Sequence, residues 1–127
     1  THVFGTLTTL RAFAPVIERN GGGTILNVLS VLSWVHLSIH GAYSVGKTAA
    51  WAMSDVLREE LRPKGIHVAT LHVGYMDTDM NDWVAAEEKQ DPAVVAKAAL
   101  DGIADGATEI IVDDLSKWAK QNLAAAK

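Results

Sequence analysis

Apolar positions along the chain alternate between helical spacing and short consecutive runs. Residues 4–19 place apolar side chains three or four positions apart and end at three glycines, which predicts a helix. Residues 24–29 are short and mostly apolar, which predicts a buried strand. Residues 42–62 predict the clearest helix, with a single apolar stripe facing the core. That stripe comprises Val45, Ala49, Met53, Val56, Leu57 and Leu61.

The second half of the chain continues this alternation. Residues 66–73 predict a second strand and residues 109–112 a third. Asp91 followed by Pro92 is typical of the start of a helix, because the carboxylate caps free amides and proline fits the first turn. Either Asp113 or Asp114 is expected to cap a last helix.

Helices that alternate with strands are typical of a parallel α/β sheet. We therefore predict a truncated Rossmann-like, doubly wound fold with about three parallel strands flanked by helices. We expect residues 1–127 to form a single domain, since 127 residues suffice for one core.

Composition excludes several classes of function. The chain is 49% hydrophobic and 20% charged, which is typical of a globular protein. A net charge of -4 without a basic cluster argues against nucleic acid as a partner. No apolar run approaches the roughly 20 residues of a membrane span, so no membrane partner is expected. The absence of cysteine fits a reducing compartment, and we predict a cytoplasmic location.

No metal site is predicted either. His67 and His72 are five positions apart on a predicted strand, so their side chains point to opposite faces. The acids Asp77 and Asp79 begin a calcium-like spacing, but that motif needs a glycine where Asp82 stands. We interpret these side chains as strand packing and turn residues.

The candidate chemistry lies at the start of the long helix. Tyr43 and Lys47 are four apart, so the phenol and the ammonium share one helix face. A nearby cation favours phenolate, so we expect Lys47 to lower the pKa of Tyr43. Ser30 follows the preceding strand, and strand ends meet helix starts at the ligand crevice of such sheets. We therefore expect Ser30, Tyr43 and Lys47 to converge.

The same segment fits a second motif. Residues 41–48 match the phosphate loop of NTPases, G-x-x-x-x-G-K-[ST], beginning at Gly41. In that alternative, a P-loop NTPase, Lys47 would contact phosphate and Thr48 would bind magnesium. Ten residues separate Ser30 from Gly41, whereas a phosphate loop directly follows its strand, so this is the weaker hypothesis.

Three segments together resemble the short-chain dehydrogenase/reductase family. They are Asn27-Val28-Leu29-Ser30, residues 41–47 with Tyr43 and Lys47, and residues 73–80 after the second predicted strand. The opening residues 2–6 are similar to the start of that family's long helix before the catalytic strand. The order of elements also matches, so the resemblance extends over essentially the whole chain.

The resemblance implies hydride transfer between NAD or NADP and a small-molecule alcohol or ketone. Tyr43 would be the general acid/base, Lys47 would hold the nicotinamide ribose and tune the tyrosine, and Ser30 would bind the substrate oxygen. Tyr43, Lys47, Gly74 and Thr78 would contact the cofactor.

The chain also departs from the family pattern. His2 stands where the family usually has a relay asparagine, and Val73 replaces the usual proline before Gly74. The glycine-rich turn that cradles pyrophosphate is absent, since the triple glycine at 21–23 precedes a strand and not a helix. We therefore expect the nucleotide-binding front half to be missing and the chain alone to be weak or inactive.

A third hypothesis is a non-enzymatic, oligomerising fragment with a vestigial site. The strand at 24–29 would normally pair with the missing half, so its edge is bare and apolar. The resemblance also implies a dimer interface on the helices at 4–19 and 42–62. We expect a homo-oligomer formed through these helices, through the strand edge, or through both.

Overall fold

The structure, a computed structural model, describes residues 2–77, 79 and 84–125. Helices and strands alternate as the apolar pattern predicts. Their bounds in chain order are α1 (Phe4–Arg19), β1 (Gly23–Val28), α2 (Gly41–Leu61), β2 (Ile66–His72), β3 (Tyr75–Met76), β4 (Lys89–Gln90), α3 (Pro92–Ala104), β5 (Glu109–Ile111) and α4 (Asp114–Gln121).

The main sheet has three parallel strands in the order β1-β2-β5. In the register, Gly23 lies beside Ile66 and Val28 beside Leu71, while Thr70 of β2 lies beside Glu109 of β5. This confirms the predicted α/β, Rossmann-like class with three parallel strands. It also confirms that β1 is an edge strand.

The central strand β2 is buried on both faces. Leu71 packs in one cluster with Val95 and Ala99 of α3, whereas Ile66 and Val68 pack in another against side chains of α1 and α2. Helices therefore cover both faces of the sheet, as parallel strands require. Because alternate residues share a face, His72 points to the same side as Val68, towards α2.

The predicted apolar stripe of α2 is partly wrong. Val45 and Val56 are exposed, at 70% and 58%, although the stripe placed them in the core. Small residues form the buried face instead, and their size lets the helix approach β1 and β2 closely. The buried residues of α2 are Ser44, Gly46, Ala50, Ser54 and Leu61.

The helix caps follow the sequence signals. Asp91 accepts a hydrogen bond from the Ala93 amide at 2.9 Å, which confirms it as the cap of α3. Asp113, not Asp114, caps α4, because its carboxylate accepts from the Ser116 amide. The two-residue strands β3 and β4 pair in a second parallel sheet that the sequence pattern did not predict, since two residues carry no periodicity.

Among the described residues, no helix is long and apolar enough to cross a membrane. Over the same residues, no three histidine, cysteine or acidic side chains cluster as a metal site would need. The cytoplasmic location and the assignment of the whole chain to one domain stay predictions.

Candidate active site

Ser30 lies just beyond the carboxyl end of β1. Its backbone is extended, and its side chain caps the 3-10 turn Val31–Ser33 by accepting a hydrogen bond from the Leu32 amide at 3.1 Å. The residue is 8% exposed. Because the amide occupies one lone pair of Oγ, the hydroxyl proton and the other lone pair remain for a second partner.

Tyr43, in the first turn of α2, lies close to this hydroxyl. Burial raises the pKa of Tyr43 above its ordinary value, and the nearby Ser30 side chain offsets only part of this effect. The expected lowering of this pKa by Lys47 stays a prediction, since burial is the largest influence on the phenol. The phenol is protonated at neutral pH.

Lys47 lies one helical turn after Tyr43, as the spacing predicts. Its Nζ donates to the backbone carbonyl of Val28 at 2.9 Å and lies 5.5 Å from the centroid of the Tyr43 ring. Burial lowers the pKa of this lysine. One donor is thus occupied by β1, which leaves two for other partners. The structure brings Ser30, Tyr43 and Lys47 together as expected.

His2 completes the surroundings of the tyrosine. Its ring meets the Tyr43 ring edge-on, with 5.1 Å between centroids. Burial and, secondly, the charge of Lys47 lower the pKa of His2, so the imidazole is neutral at neutral pH. Gly46 makes room for it, because a Cβ there would lie 2.8 Å from the His2 Cβ. A histidine in the relay position is therefore close enough to contact the tyrosine.

Gly74 follows β2, and its amide donates to Oδ2 of Asp113 at 2.9 Å. A Cβ at Gly74 would lie 2.6 Å from that same oxygen, so any larger residue would clash with the Asp113 carboxylate. The predicted contact of Gly74 with a cofactor stays a prediction. Thr78, the other residue expected there, lies outside the described residues.

The phosphate-loop hypothesis is wrong. Residues 41–48 form the first two turns of α2 and not a loop before a helix. The two residues that would bind phosphate and magnesium are also engaged elsewhere. Lys47 donates to Val28, and the Thr48 hydroxyl donates to the carbonyl of Ser33 at 2.9 Å.

Comparison with known proteins decides the family. Residues 1–89 match the family model of the short chain dehydrogenases. The chain belongs to that family. An uncharacterized oxidoreductase of Staphylococcus saprophyticus is 30% identical over 102 residues, which cover 78% of this chain and 43% of that protein.

Solved structures of short chain dehydrogenases agree with the fold. The Burkholderia cenocepacia enzyme, in complex with NADP, matches 98% of this chain and 52% of its own with a TM-score of 0.90 and 35% identity. An enzyme from Burkholderia phymatum, in complex with NAD, has a TM-score of 0.78 at 16% identity, covers 98% of this chain and 56% of its own, and supports the fold alone. The chain thus spans about half the length of these relatives.

A second polar cluster of this chain has no signal in the sequence. We call it the aromatic cluster, and it comprises Trp34, Trp51, His72, Glu109 and Lys120. The His72 ring stacks on Trp34 with 3.9 Å between centroids, and Trp51 meets Trp34 edge-on at 5.6 Å. The Lys120 ammonium lies 5.2 Å and 4.9 Å from the centroids of the two tryptophan rings.

Glu109 supplies the negative charge of the aromatic cluster. Its carboxylate accepts from the Trp51 indole and from Lys120, each at 2.7 Å. Burial opposes its ionisation, but the bonds from Lys120 and Trp51 prevail and hold its pKa below the ordinary value. For His72 burial prevails instead, and it lowers the pKa to about 4 despite the nearby Glu109. The histidine is therefore neutral at neutral pH.

Proposed function

We propose that this chain carries the catalytic half-site of an NAD(P)-dependent oxidoreductase that interconverts an alcohol and a ketone. The observation that carries the proposal is the convergence of Ser30, Tyr43 and Lys47 at the end of β1 and the start of α2. A hydroxyl, a phenol and an ammonium at one strand end suit proton transfer to a carbonyl oxygen.

The protonation states fit the direction of ketone reduction. Because burial keeps the Tyr43 phenol protonated, it can donate its proton to the oxygen of a bound carbonyl. Ser30, held by the Leu32 amide, can hydrogen-bond the same oxygen. The reduced nicotinamide, when bound, supplies the hydride that adds to the carbonyl carbon. The product is then an alcohol, and Tyr43 is left as phenolate.

Lys47 stabilises that phenolate. A cation about one helical turn away stabilises the negative charge that forms on the tyrosine, although it does not lower the resting pKa below its ordinary value. His2, neutral and in ring contact, is placed to pass a proton from solvent back to the phenolate. In the oxidation direction these steps run in reverse.

The donors present fit the nicotinamide end of the cofactor and not the rest. Lys47 and Tyr43 offer hydrogen bonds that suit ribose hydroxyls. The triple glycine at 21–23 leads into β1, so it forms no phosphate cradle at a helix start. The Burkholderia cenocepacia relative in complex with NADP makes NADP a candidate, and membership of the family keeps NAD as the alternative. We therefore expect weak cofactor binding by residues 1–127 alone.

The test uses a chimera. The part of the Burkholderia cenocepacia dehydrogenase that the chain does not cover would be joined in front of residues 1–127. Oxidation of NADPH and NADH by this chimera would be followed with a panel of ketones. We expect turnover that falls about 10²–10⁴-fold in Tyr43→Phe, the range typical of a lost general acid.

Matched variants sharpen the result. Glu60→Gln, an exposed residue near the far end of α2, is expected to leave turnover unchanged. Lys47→Met is expected to raise KM for the cofactor and lower kcat. A folded chimera that binds NADPH and turns over equally well as Tyr43→Phe would contradict the proposal.

We also propose that the chain self-associates. β1 leaves one edge of the sheet open, and α1 and α2 expose large apolar side chains, including Phe4 at 77% and Val45 at 70%. A second copy of the chain would cover these groups. Light scattering over a concentration series is expected to show a dimer or larger species, and a monomer at high concentration would contradict this proposal.

A further inference from the structure

His72 ends the strand that supports the Ser30 turn. Two backbone hydrogen bonds tie that turn to β2, from the Leu29 amide to Leu71 at 2.8 Å and from the Val31 amide to Val73 at 3.1 Å. His72 lies between these two acceptors in sequence. Its side chain is wholly buried. At this position the His72 side chain can fix the conformation of the turn, in addition to the two backbone hydrogen bonds from β2.

The ring reaches the far end of the same turn. Trp34 follows the 3-10 turn Val31–Ser33 that Ser30 opens, and it stacks on His72 almost flat, with 17° between the ring planes. The His72 Nε2 is hydrogen-bonded to Thr70 Oγ1 at 2.9 Å, which fixes the tilt of the ring. Its Nδ1 meets no partner in hydrogen-bonding geometry, though the Ser30 backbone lies close enough to favour the protonated ring.

Charged side chains from three elements influence the pKa of the ring. Glu109 of β5 and Asp55 of α2 favour protonation, whereas Lys120 of α4 and burial oppose it, and burial is the largest effect. The neutral ring is therefore the form that stacks at neutral pH. A flat, uncharged ring is what a buried tryptophan face accommodates without a compensating charge.

We propose that His72 is a positioning residue for Ser30, whose stacked ring holds Trp34 and with it the turn that aims the Ser30 hydroxyl at Tyr43. This rests on the proposed function only in its consequence for catalysis. The rival explanation is that His72 merely fills the core. A core filler would stabilise the strand and the turn alike, whereas a positioning residue acts on the turn.

Two amides separate these explanations. The Leu32 amide is bonded to Ser30 Oγ and reports the turn, while the Leu29 amide is bonded to Leu71 and reports the strand pairing. Hydrogen exchange of both would be measured by NMR in the 127-residue chain. His72→Leu keeps the volume but removes the flat ring, and His72→Phe keeps the ring.

We expect His72→Leu to lower protection of the Leu32 amide about tenfold with the Leu29 amide unchanged, and His72→Phe to restore it. Equal loss at both amides, or no loss at Leu32, would overturn the proposal. If His72→Leu does not fold, the wild-type chain gives the answer on acidification. Protection of Leu32 should then fall ahead of Leu29 as the pH approaches 4, and His72→Phe should lack this step.

These measurements need no turnover, so they fail independently of the proposed function. If the amide results hold while Ser30→Ala leaves turnover of the chimera unchanged, the role of Ser30 is wrong and the positioning of its turn stands. If Ser30→Ala abolishes turnover while His72→Leu leaves the Leu32 amide protected, the positioning role is wrong and the site stands.

Discussion

The candidate catalytic residues Ser30, Tyr43 and Lys47 and the aromatic cluster lie on either side of one short turn and are built in opposite ways. The three candidate residues are brought together by two neighbouring elements, and Tyr43 among them stays in reach of solvent, with 37% exposed. The aromatic cluster draws one residue each from five places along the chain, and its His72 and Trp34 are buried. Proton transfer needs access, whereas holding the turn needs rigid packing.

Burial acts on both groups with different consequences. It raises the pKa of Tyr43 and lowers the pKa of His72, so both side chains are neutral at neutral pH. In Tyr43 the neutral form is the acid that the proposed reaction uses. In His72 the neutral form is the one that stacks. The same physical effect therefore serves chemistry in one group and packing in the other.

The largest expected effect on stability comes from the aromatic cluster. Trp34→Ala should lower the free energy of unfolding by about 3–5 kcal/mol, because the cavity cannot close between His72 and Trp51. Urea unfolding measures this. Trp118→Ala is the matched control, since Trp118 is 57% exposed and should change stability by only about 0.5 kcal/mol. Similar losses in the two variants would mean that Trp34 is no better packed than a surface residue.

The pH dependence of stability should trace to His72. Its pKa is lowered to about 4 in the folded chain from an ordinary value near 6.5, so the unfolded chain takes up the proton first on acidification. Stability contributed by the neutral ring is present above pH 6.5 and is lost as the pH falls towards 4. The expected loss is about 3 kcal/mol over this window.

The control for this prediction is His72→Phe, which cannot titrate. The difference in unfolding free energy between wild type and variant should change across the window, while the contribution from His2, which His72 does not influence, cancels. Parallel curves from neutral pH down to pH 4 would show that His72 does not carry the effect.

A smaller effect is expected at the junction of the two groups. Asp113 caps α4, which carries Lys120, and also accepts from the Gly74 amide beside the site. Asp113→Ala should cost about 1–2 kcal/mol, the range of a lost cap. Asp114→Ala, one residue on and fully exposed, should cost much less. Thermal unfolding of the two variants measures the difference. Equal midpoints would show that the cap at Asp113 does not stabilise the fold.

The sequence predicts what depends on local spacing. The catalytic pair is four residues apart on one helix, and Ser30 ends the preceding strand, so their convergence follows from helix geometry and sheet topology. The pKa of Tyr43 could not be predicted, because it depends on burial, which raises it, and on the nearby Ser30 side chain, which lowers it. The aromatic cluster could not be predicted, because its residues share no motif. Most of the pairs in contact are 17 or more positions apart in the sequence.

The same distinction holds for the fold. The three parallel strands follow from the alternation of elements. Residue type leaves Asp113 and Asp114 equal as caps of the last helix, but the cap at Asp91 follows from residue type. The buried face of α2 does not, because hydrophobic periodicity marks Val45 and Val56 while close packing selects Ala50 and Ser54. The apolar pattern of α2 therefore predicts the helix correctly and predicts only part of its buried face.

The central claim is that Tyr43 supplies the proton while a nicotinamide supplies the hydride. The most direct test is deuterium transfer in the chimera, using reduced cofactor deuterated at the reactive carbon and a ketone that turns over. We expect the chimera with Tyr43 to form an alcohol that carries one deuterium on the former carbonyl carbon. The Tyr43→Phe variant should not form this labelled alcohol. Alcohol without deuterium at that carbon, or the same labelled yield from Tyr43→Phe, would contradict this claim.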